Sequence, residues 1–319
     1  MEAPFDPWQP FPAQRYRLHF QAVTEIVFGD FPGTALRGAL GTSLRRRLCA
    51  VGLPTCEGCR LLHECLWPRL FETALHSRPG GPVADLAGWV LAPADHCPQR
   101  IAKGGTFRFD LTVIGRTRPH LGHLLAGVKR AAGCLGPAHA SRAELREVSL
   151  AASGETLGSG ATALRPHAQQ LAPPPRLAGP LRALQLEFTT PVRLTRDGRE
   201  RRLAELTARD FVLAVLRRIE RTLRHCEGPV RPVRLADATF DGLAGLHMES
   251  GGMRDAVVAR RSSAQTRRLV THGYLGRLGI EGDSSVLSEL WPYFHLARYL
   301  HIGKMSHFGF GGFRLRALT

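Results

Sequence analysis

The chain has 319 residues, 44% of them hydrophobic, which suits one large domain or two of ordinary size and argues against global disorder. It carries 43 Lys and Arg against 27 Asp and Glu, a net charge of +16, and the only lysines are Lys103, Lys129 and Lys304. A GC-rich genome accounts for the missing lysines but not for the surplus charge. Planar guanidinium forks fit phosphate, so nucleic acid is the expected partner and anionic lipid the main rival. The opening MEAPFDPWQPFP has no apolar signal-peptide core, and no apolar run approaches the roughly 20 residues that span a bilayer. The expectation is a soluble, cytoplasmic protein with no membrane partner, whose seven cysteines are not a disulfide framework.

In chain order, RYRLHFQAVTEIVF (15–28) alternates as a strand, with Tyr16, Leu18, Phe20 and Ala22 on one face and Arg17, His19 and Gln21 on the other. Leu36, Leu40, Leu44 and Leu48 recur every four residues and predict a helix over about 34–48. FRFDLTVIG (107–115) reads as a strand, RPHLGHLLAGVKRAAG (118–133) as a helix and ELREVSLAA as a closing strand. Residues 151–180 are rich in Gly, Ala and Pro and read as a linker or a long exposed hairpin. The pattern then restarts. LRALQLEFTTPVRL alternates, Asp197-Gly198 marks a tight turn, and Val212, Val215, Leu216, Ile219 and Leu223 form a helical stripe. Several strands are expected over 233–283, a short helix over about 287–301, and a last strand at FGGFRLRAL. Two successive β-α-β-β-α-β units predict an α+β fold of tandem ferredoxin-like (RRM-like) domains, a common RNA-binding platform. The expected boundaries are 1–178, with a cysteine-rich insertion around 49–85 after the first helix, and 179–319, with a glycine-rich loop.

Four motifs carry candidate chemistry. Cys49, Cys56, Cys59 and Cys65 lie within 17 residues and suit a structural, tetrahedral zinc. His63 is an alternative ligand, an iron–sulfur cluster is a second possibility and four unrelated thiols a third. On the leucine helix, Arg37, Gly41 and Arg45 form a stripe beside the core face, with room at Gly41 for an approaching backbone, and Arg46 and Arg47 add charge near its end; a solvated helix face is the plain alternative. ARRSSAQTRRLVTHGYLG sets Arg260, Arg261, Arg267 and Arg268 among hydroxyls, as phosphate contacts do, or is simply an exposed hairpin. In HIGKMSHFGFGGFRLR, the backbone N–H groups of Gly309, Gly311 and Gly312 suit a phosphate cradle, with Lys304, His307 and Arg314 nearby; a tight strand entry is the alternative.

These stretches resemble the CRISPR pre-crRNA processing endoribonucleases of the RAMP superfamily, in their four-cysteine branch. LHIGKMSHFGFGGFRL looks like the family's C-terminal glycine-rich signature, and LQLEFTTPVRLTRDG like the start of its second domain. LRGALGTSLRRRLC with CEGCRLLHECLWPRLFE, and RRSSAQTRRLVTHGYLGRLGIEGD, are similar to two further family segments. The resemblance implies a metal-independent cut in each CRISPR repeat RNA. The 2′-hydroxyl attacks the neighbouring phosphate, a 2′,3′-cyclic phosphate forms, and the mature crRNA can stay bound. Other CRISPR effector subunits are implied as partners, and no cofactor for catalysis. Where this branch often has Gly-His on the first helix, the chain has Gly41-Thr42, and threonine is no general base. His307 and Lys304 are the substitutes, with Arg37 as the third catalytic candidate and His19 as another possible base. The RNA-binding candidates are Arg45, Arg46, Arg260, Arg261, Arg267, Arg268, Gly309, Gly311, Gly312 and Arg314. Two alternatives stand beside this reading: a non-cleaving RAMP subunit that holds guide RNA, which the missing histidine favours, and a zinc-containing DNA-binding regulator, against which the interspersed strand–helix order argues.

Overall fold

A computed structural model describes residues 3–76, 87–94, 97–135, 140–160, 164–196, 198–226, 231–261 and 268–319. In the first half, strand β1 (Ala13–Ala22) is followed by the short β2 (Ile26–Val27) and by helix α1 (Pro32–Leu48). Pro32 opens α1, where its missing N–H costs nothing, and the chain leaves the helix extended at Cys49. After a loop come the short helices α2 (Leu66–Phe71) and α3 (Thr73–His76), strands β3 (Trp89–Pro93), β4 (Arg100–Ile101) and β5 (Thr106–Ile114), helix α4 (Leu121–Ala132), and strands β6 (Ala143–Leu150) and β7 (Thr156–Ser159). The second half runs β8 (Ala183–Val192), a small hairpin β9 (Thr195–Arg196) and β10 (Arg199–Glu200), helix α5 (Ala208–Leu223), short α6 (Asp237–Gly242), the long pair β11 (His247–Arg261) and β12 (Arg268–Glu281), helix α7 (Ser284–Leu300) and β13 (Phe313–Leu318).

The first sheet has the order β3-β5-β1-β6-β7 and the second β11-β12-β8-β13. With β7 set aside, each half has its first strand in the centre, flanked by its third and fourth, and all neighbours are antiparallel. That is the ferredoxin-like order, twice. Tyr16, Leu18 and Phe20 are buried against Leu36, Leu40 and Leu44 of α1 and Leu124, Leu125 and Val128 of α4. In the second half Leu184, Leu186 and Phe188 meet Phe211, Val212, Val215 and Ile219 of α5 and Leu287, Leu290 and Phe294 of α7. A capping box, Thr207 with Asp210, starts α5, and Asp283 caps α7 by accepting from the N–H groups of Ser285 and Val286.

The connecting segment is a strap. After the short β6–β7 hairpin it runs along the surface, bridges Leu171 to Phe11, and takes hydrogen bonds at Ala168 and Pro175 from Gln14 and Trp291. Of the several strands expected over 233–283, the described residues hold two long ones, β11 and β12, preceded by the short helix α6. The polar face of β1 is partly covered at its start. Arg15 donates to the carbonyl of Arg298 at 2.7 Å, and its guanidinium stacks on Tyr299, 4.8 Å from the ring centroid. The two halves are thus joined across that face.

The glycine-rich loop completes the junction. A Cβ at Gly309 would lie 2.7 Å from the carbonyl of Leu91, and one at Gly311 1.8 Å from that of Ile302. Both residues have positive φ, +88° and +72°. Gly311→Ala is expected to cost more than the about 1–3 kcal/mol of a strained backbone alone. Gly38→Ala, in helix with nothing within 4 Å of the added carbon, is expected to stabilise by up to about 1 kcal/mol. Urea denaturation of both variants checks the opposite signs.

Candidate functional site

Sequence placed α1 and the glycine-rich loop among the chemistry-bearing segments, and the fold brings them together. After α7, residues 301–312 cross to the first half and make a single 3-10 turn, Ser306–Phe308, against α1 and β3. Phe310 is buried edge-on to Phe31, with centroids 5.1 Å apart. Arg37, on the adjoining face of α1, lies 4.0 Å from the Phe308 ring centroid, 5.2 Å from Phe71 and 5.9 Å from Trp89. Cation–π contact on three sides fixes the fork in place. The His307 ring packs on Phe308 at 4.5 Å between centroids and is half-buried. Lys304 is exposed on the same loop, its backbone N–H held by the carbonyl of Arg193.

The other site candidates divide. Gly309, Gly311 and Gly312 are buried, and their N–H groups donate to Ser306 O, Pro191 O and Thr190 Oγ1. Those donors are engaged inside the protein, which corrects the expectation of a phosphate cradle: the glycines serve close packing. Gly41 likewise faces Phe71 and Trp67 and not an open approach path. Arg45 turns into the cysteine loop and donates to the carbonyls of Leu53 and Pro54. Arg46 is exposed at the end of α1. Arg314 lines a cleft of about 350 Å³ between the halves, with Arg15, Arg17, Asp110 and Arg298. Arg267 lies outside the described residues, as do the side chains of Arg260, Arg261 and Arg268 near the β11–β12 tip. His19 points away from α1, bonded to Ser149 Oγ at 3.0 Å with Glu147 at 3.7 Å; burial lowers its pKa. It is not part of the Arg37–His307 cluster.

Cys49, Cys56, Cys59 and Cys65 line one small cavity of about 190 Å³ between α1 and α2. Cys49 Sγ accepts the N–H of Gly52 at 3.3 Å, and Cys59 N–H closes a turn onto Cys56 O. Four thiols around one cavity suit a thiophilic metal. Among the described residues, however, no three His, Cys, Asp or Glu side chains are gathered as a ligand set.

Several contributors to the seam carry no motif. Arg17 holds Asp110 with both ends of its fork, at 3.0 and 3.2 Å. Arg218 is buried and donates to Leu300 O; burial lowers its pKa to about 9. His301, at φ +61°, donates from Nδ1 to the carbonyl of Phe310, and burial beside Arg15 lowers its pKa to about 3. Only the His-Ile-Gly run at the end of a helical pattern marks His301 in sequence.

The fold is a pair of ferredoxin-like domains joined across this seam. A family model for an N-terminal domain, AF_1859_N, matches residues 11–175, and the model of the CRISPR-associated endoribonuclease Cas6 matches residues 186–313. The second half of the chain thus matches the endoribonuclease domain of Cas6, of the CRISPR pre-crRNA processing family. Among solved structures it is similar to Cas6 of Thermus thermophilus, with 16% identity over 97% of this chain and 99% of that one and a TM-score of 0.52. A Cas6 product complex gives 17% identity over 97% and 100% of the two chains and a TM-score of 0.53. A partial Cas6-RT-Cas1–Cas2 complex gives 10% identity over 98% of this chain and 47% of that one, with a TM-score of 0.54. At these identities the likeness concerns the fold. No curated protein matches the chain. Among the described residues no helix is long and apolar enough to cross a membrane.

The buried histidines set a pH dependence. His301 and His295, with pKa values lowered to about 3 and about 4, stay neutral in the fold and regain ordinary values near 6.5 when unfolded. The unfolded chain therefore takes up protons first. The contribution to stability is complete above about pH 6.5 and falls as pH drops toward the folded values. Denaturation midpoints between pH 8 and pH 5 should decline, and His301→Gln should flatten that slope whatever it does to the midpoint at pH 8.

Proposed function

We propose that the chain cuts CRISPR repeat RNA at one site per repeat, in the cytoplasm, by metal-independent attack of a 2′-hydroxyl on the adjacent phosphate, and retains the crRNA it makes. The observation that carries this reading is the meeting of α1 with the glycine-rich loop, Arg37 stacked on Phe308 beside His307. The match of residues 186–313 to the Cas6 endoribonuclease model supports cleavage over the non-cleaving subunit. The tandem fold leaves no place for a compact DNA-reading helix unit.

Attack by the 2′-hydroxyl needs a proton acceptor, a fixed in-line geometry and cations for the charge that builds on the phosphorane. His307 takes the proton from the 2′-oxygen. Arg37, immobilised by three rings, faces the developing charge. Lys304 is exposed and mobile enough to give the leaving 5′-oxygen its proton. Thr42 is exposed and spends its hydroxyl on the Gly38 carbonyl, so α1 supplies the arginine and the loop supplies the base. Phosphate positioning falls to side-chain cations such as Arg46 and Arg314 and to the arginines at the β11–β12 tip, since the loop amides are occupied. Cys49, Cys56, Cys59 and Cys65 are the residues that would hold a structural zinc, which would serve folding and take no part in the cut.

Labelled repeat RNA incubated in EDTA should still be cut, and removing the 2′-oxygen at the cut site should abolish cleavage. His307→Ala should lower the single-turnover rate by about 10²-fold or more with little change in affinity. Binding without any cut by the wild type would return the chain to the guide-holding class. For the loop, metal analysis of fresh protein should find about one zinc per chain, with Cys56→Ser lowering the melting temperature; metal-free, fully stable protein would remove the zinc.

A further inference from the structure

A second basic surface lies on the helical layer of the first domain. A groove of about 1120 Å³ runs between the end of α1, the outer face of α4 and the strap at 164–169. Arg46, Arg47, Arg118, Lys129, Arg130 and Arg165 line it. No carboxylate does, and among the described residues none of these six has an ion-pair partner. Arg118 is held by the carbonyls of Gly115 and Gln169, but the other five are exposed, and uncompensated cations facing one trough repel each other, a cost that a polyanion would lift. The trough exceeds the usual few hundred to about 1,000 Å³ of a small-molecule pocket, so an extended ligand fits it better than a single ion.

A second observation points the same way. The strap forms the far wall and is held in place: Arg118 donates to Gln169 O, and the His167 ring is bonded to Tyr16 Oη at 2.9 Å. The groove is therefore preformed. Along α1, Arg46 and Arg47 stand roughly 14 Å beyond Arg37, at 1.5 Å per residue.

We infer that this groove holds the phosphate backbone of single-stranded RNA flanking the processed repeat, a site separate from the Arg37–His307 cluster. The inference rests on RNA being the ligand. A precursor transcript is long, and strand that extends past the cut must lie on some surface; this one begins a few nucleotides' reach from the proposed cut and carries the required charge. Recognition here is of backbone, so it is independent of spacer sequence.

The test uses uncleavable repeat RNA, with the 2′-oxygen removed at the cut site, either bare or extended on its 5′ or 3′ side by an unstructured spacer. Wild type should bind one extended RNA at least tenfold more tightly than the bare repeat, with a steeper salt dependence of about −0.7 in log–log slope for each added phosphate contact. Lys129→Glu with Arg130→Glu, both exposed, should remove most of that gain at an unchanged melting temperature. The inference is overturned if the double variant keeps the gain, if it loses bare and extended RNA equally, or if an acidic peptide displaces the extension as well as RNA does. Failure of the wild type to bind bare repeat RNA would instead overturn the proposed function.

Discussion

The molecule depends on backbone meeting backbone at the seam between its halves. Gly33 on α1 and Gly309 on the C-terminal loop face each other's chains: a Cβ on Gly33 would lie 2.8 Å from the carbonyl of Phe308, and one on Gly309 2.7 Å from that of Leu91. Side chains on either would hold the halves apart. Their absence lets Phe310 reach Phe31 and brings Phe308 under Arg37. Gly309 thus docks the C-terminal loop on the first half, Gly303, Gly311 and Gly312 close that loop on Arg193, Ile302 and Thr190 of the second, and the catalytic candidates owe their neighbourhood to both.

That seam is built from cations whose partners are mostly carbonyls. Arg15 and Arg218 are buried and lean on the last carbonyls of α7, where the helix dipole leaves negative charge. Asp110 supplies the one buried carboxylate among them. His301, neutral in this setting, satisfies Phe310 O and fixes the loop without adding a further charge. Protonating it would place another cation between Arg15 and Arg218. The geometry that joins α1 to the loop is therefore strongest at neutral pH and above.

Much of this was legible in the sequence, and the exceptions share a cause. Alternation at Tyr16, Leu18 and Phe20, and the four-residue leucine period of α1, report burial on one face, which period alone encodes. The tandem order of elements followed directly. Period says nothing about what lies on the opposite face, so it does not announce that Arg15 is held by the carbonyl of Arg298 in the second half. Glycine posed a similar ambiguity. The same Gly-rich run suits an open anion nest or a closed packing contact, and only the acceptors at Ser306, Pro191 and Thr190, two of them far off in sequence, decide between them. Trp89, Phe71 and Phe308 enclose Arg37 from three separate segments, which no local pattern announces. The β11–β12 tip, with Arg267, lies outside the described residues, and its four arginines stay a reading of sequence.

The net charge of +16 also acquires structure once its cations are sorted. Arginines that maintain the fold, Arg15, Arg45, Arg118 and Arg218, are at least half-buried and bonded to carbonyls, and Arg17 grips a buried carboxylate. They contribute to the total without offering themselves to a ligand. Exposed Arg46, Arg47, Lys129, Arg130 and Arg165 have no acid opposite them and converge on one trough. Composition counts both groups alike. A fold that needed cations only for solubility would scatter them among acids, and here five exposed cations gather on the helical layer with no carboxylate among them. Positioning of a long polyanion and chemistry on one phosphate are in this way assigned to different surfaces of the same helix, α1, whose length sets the distance between them.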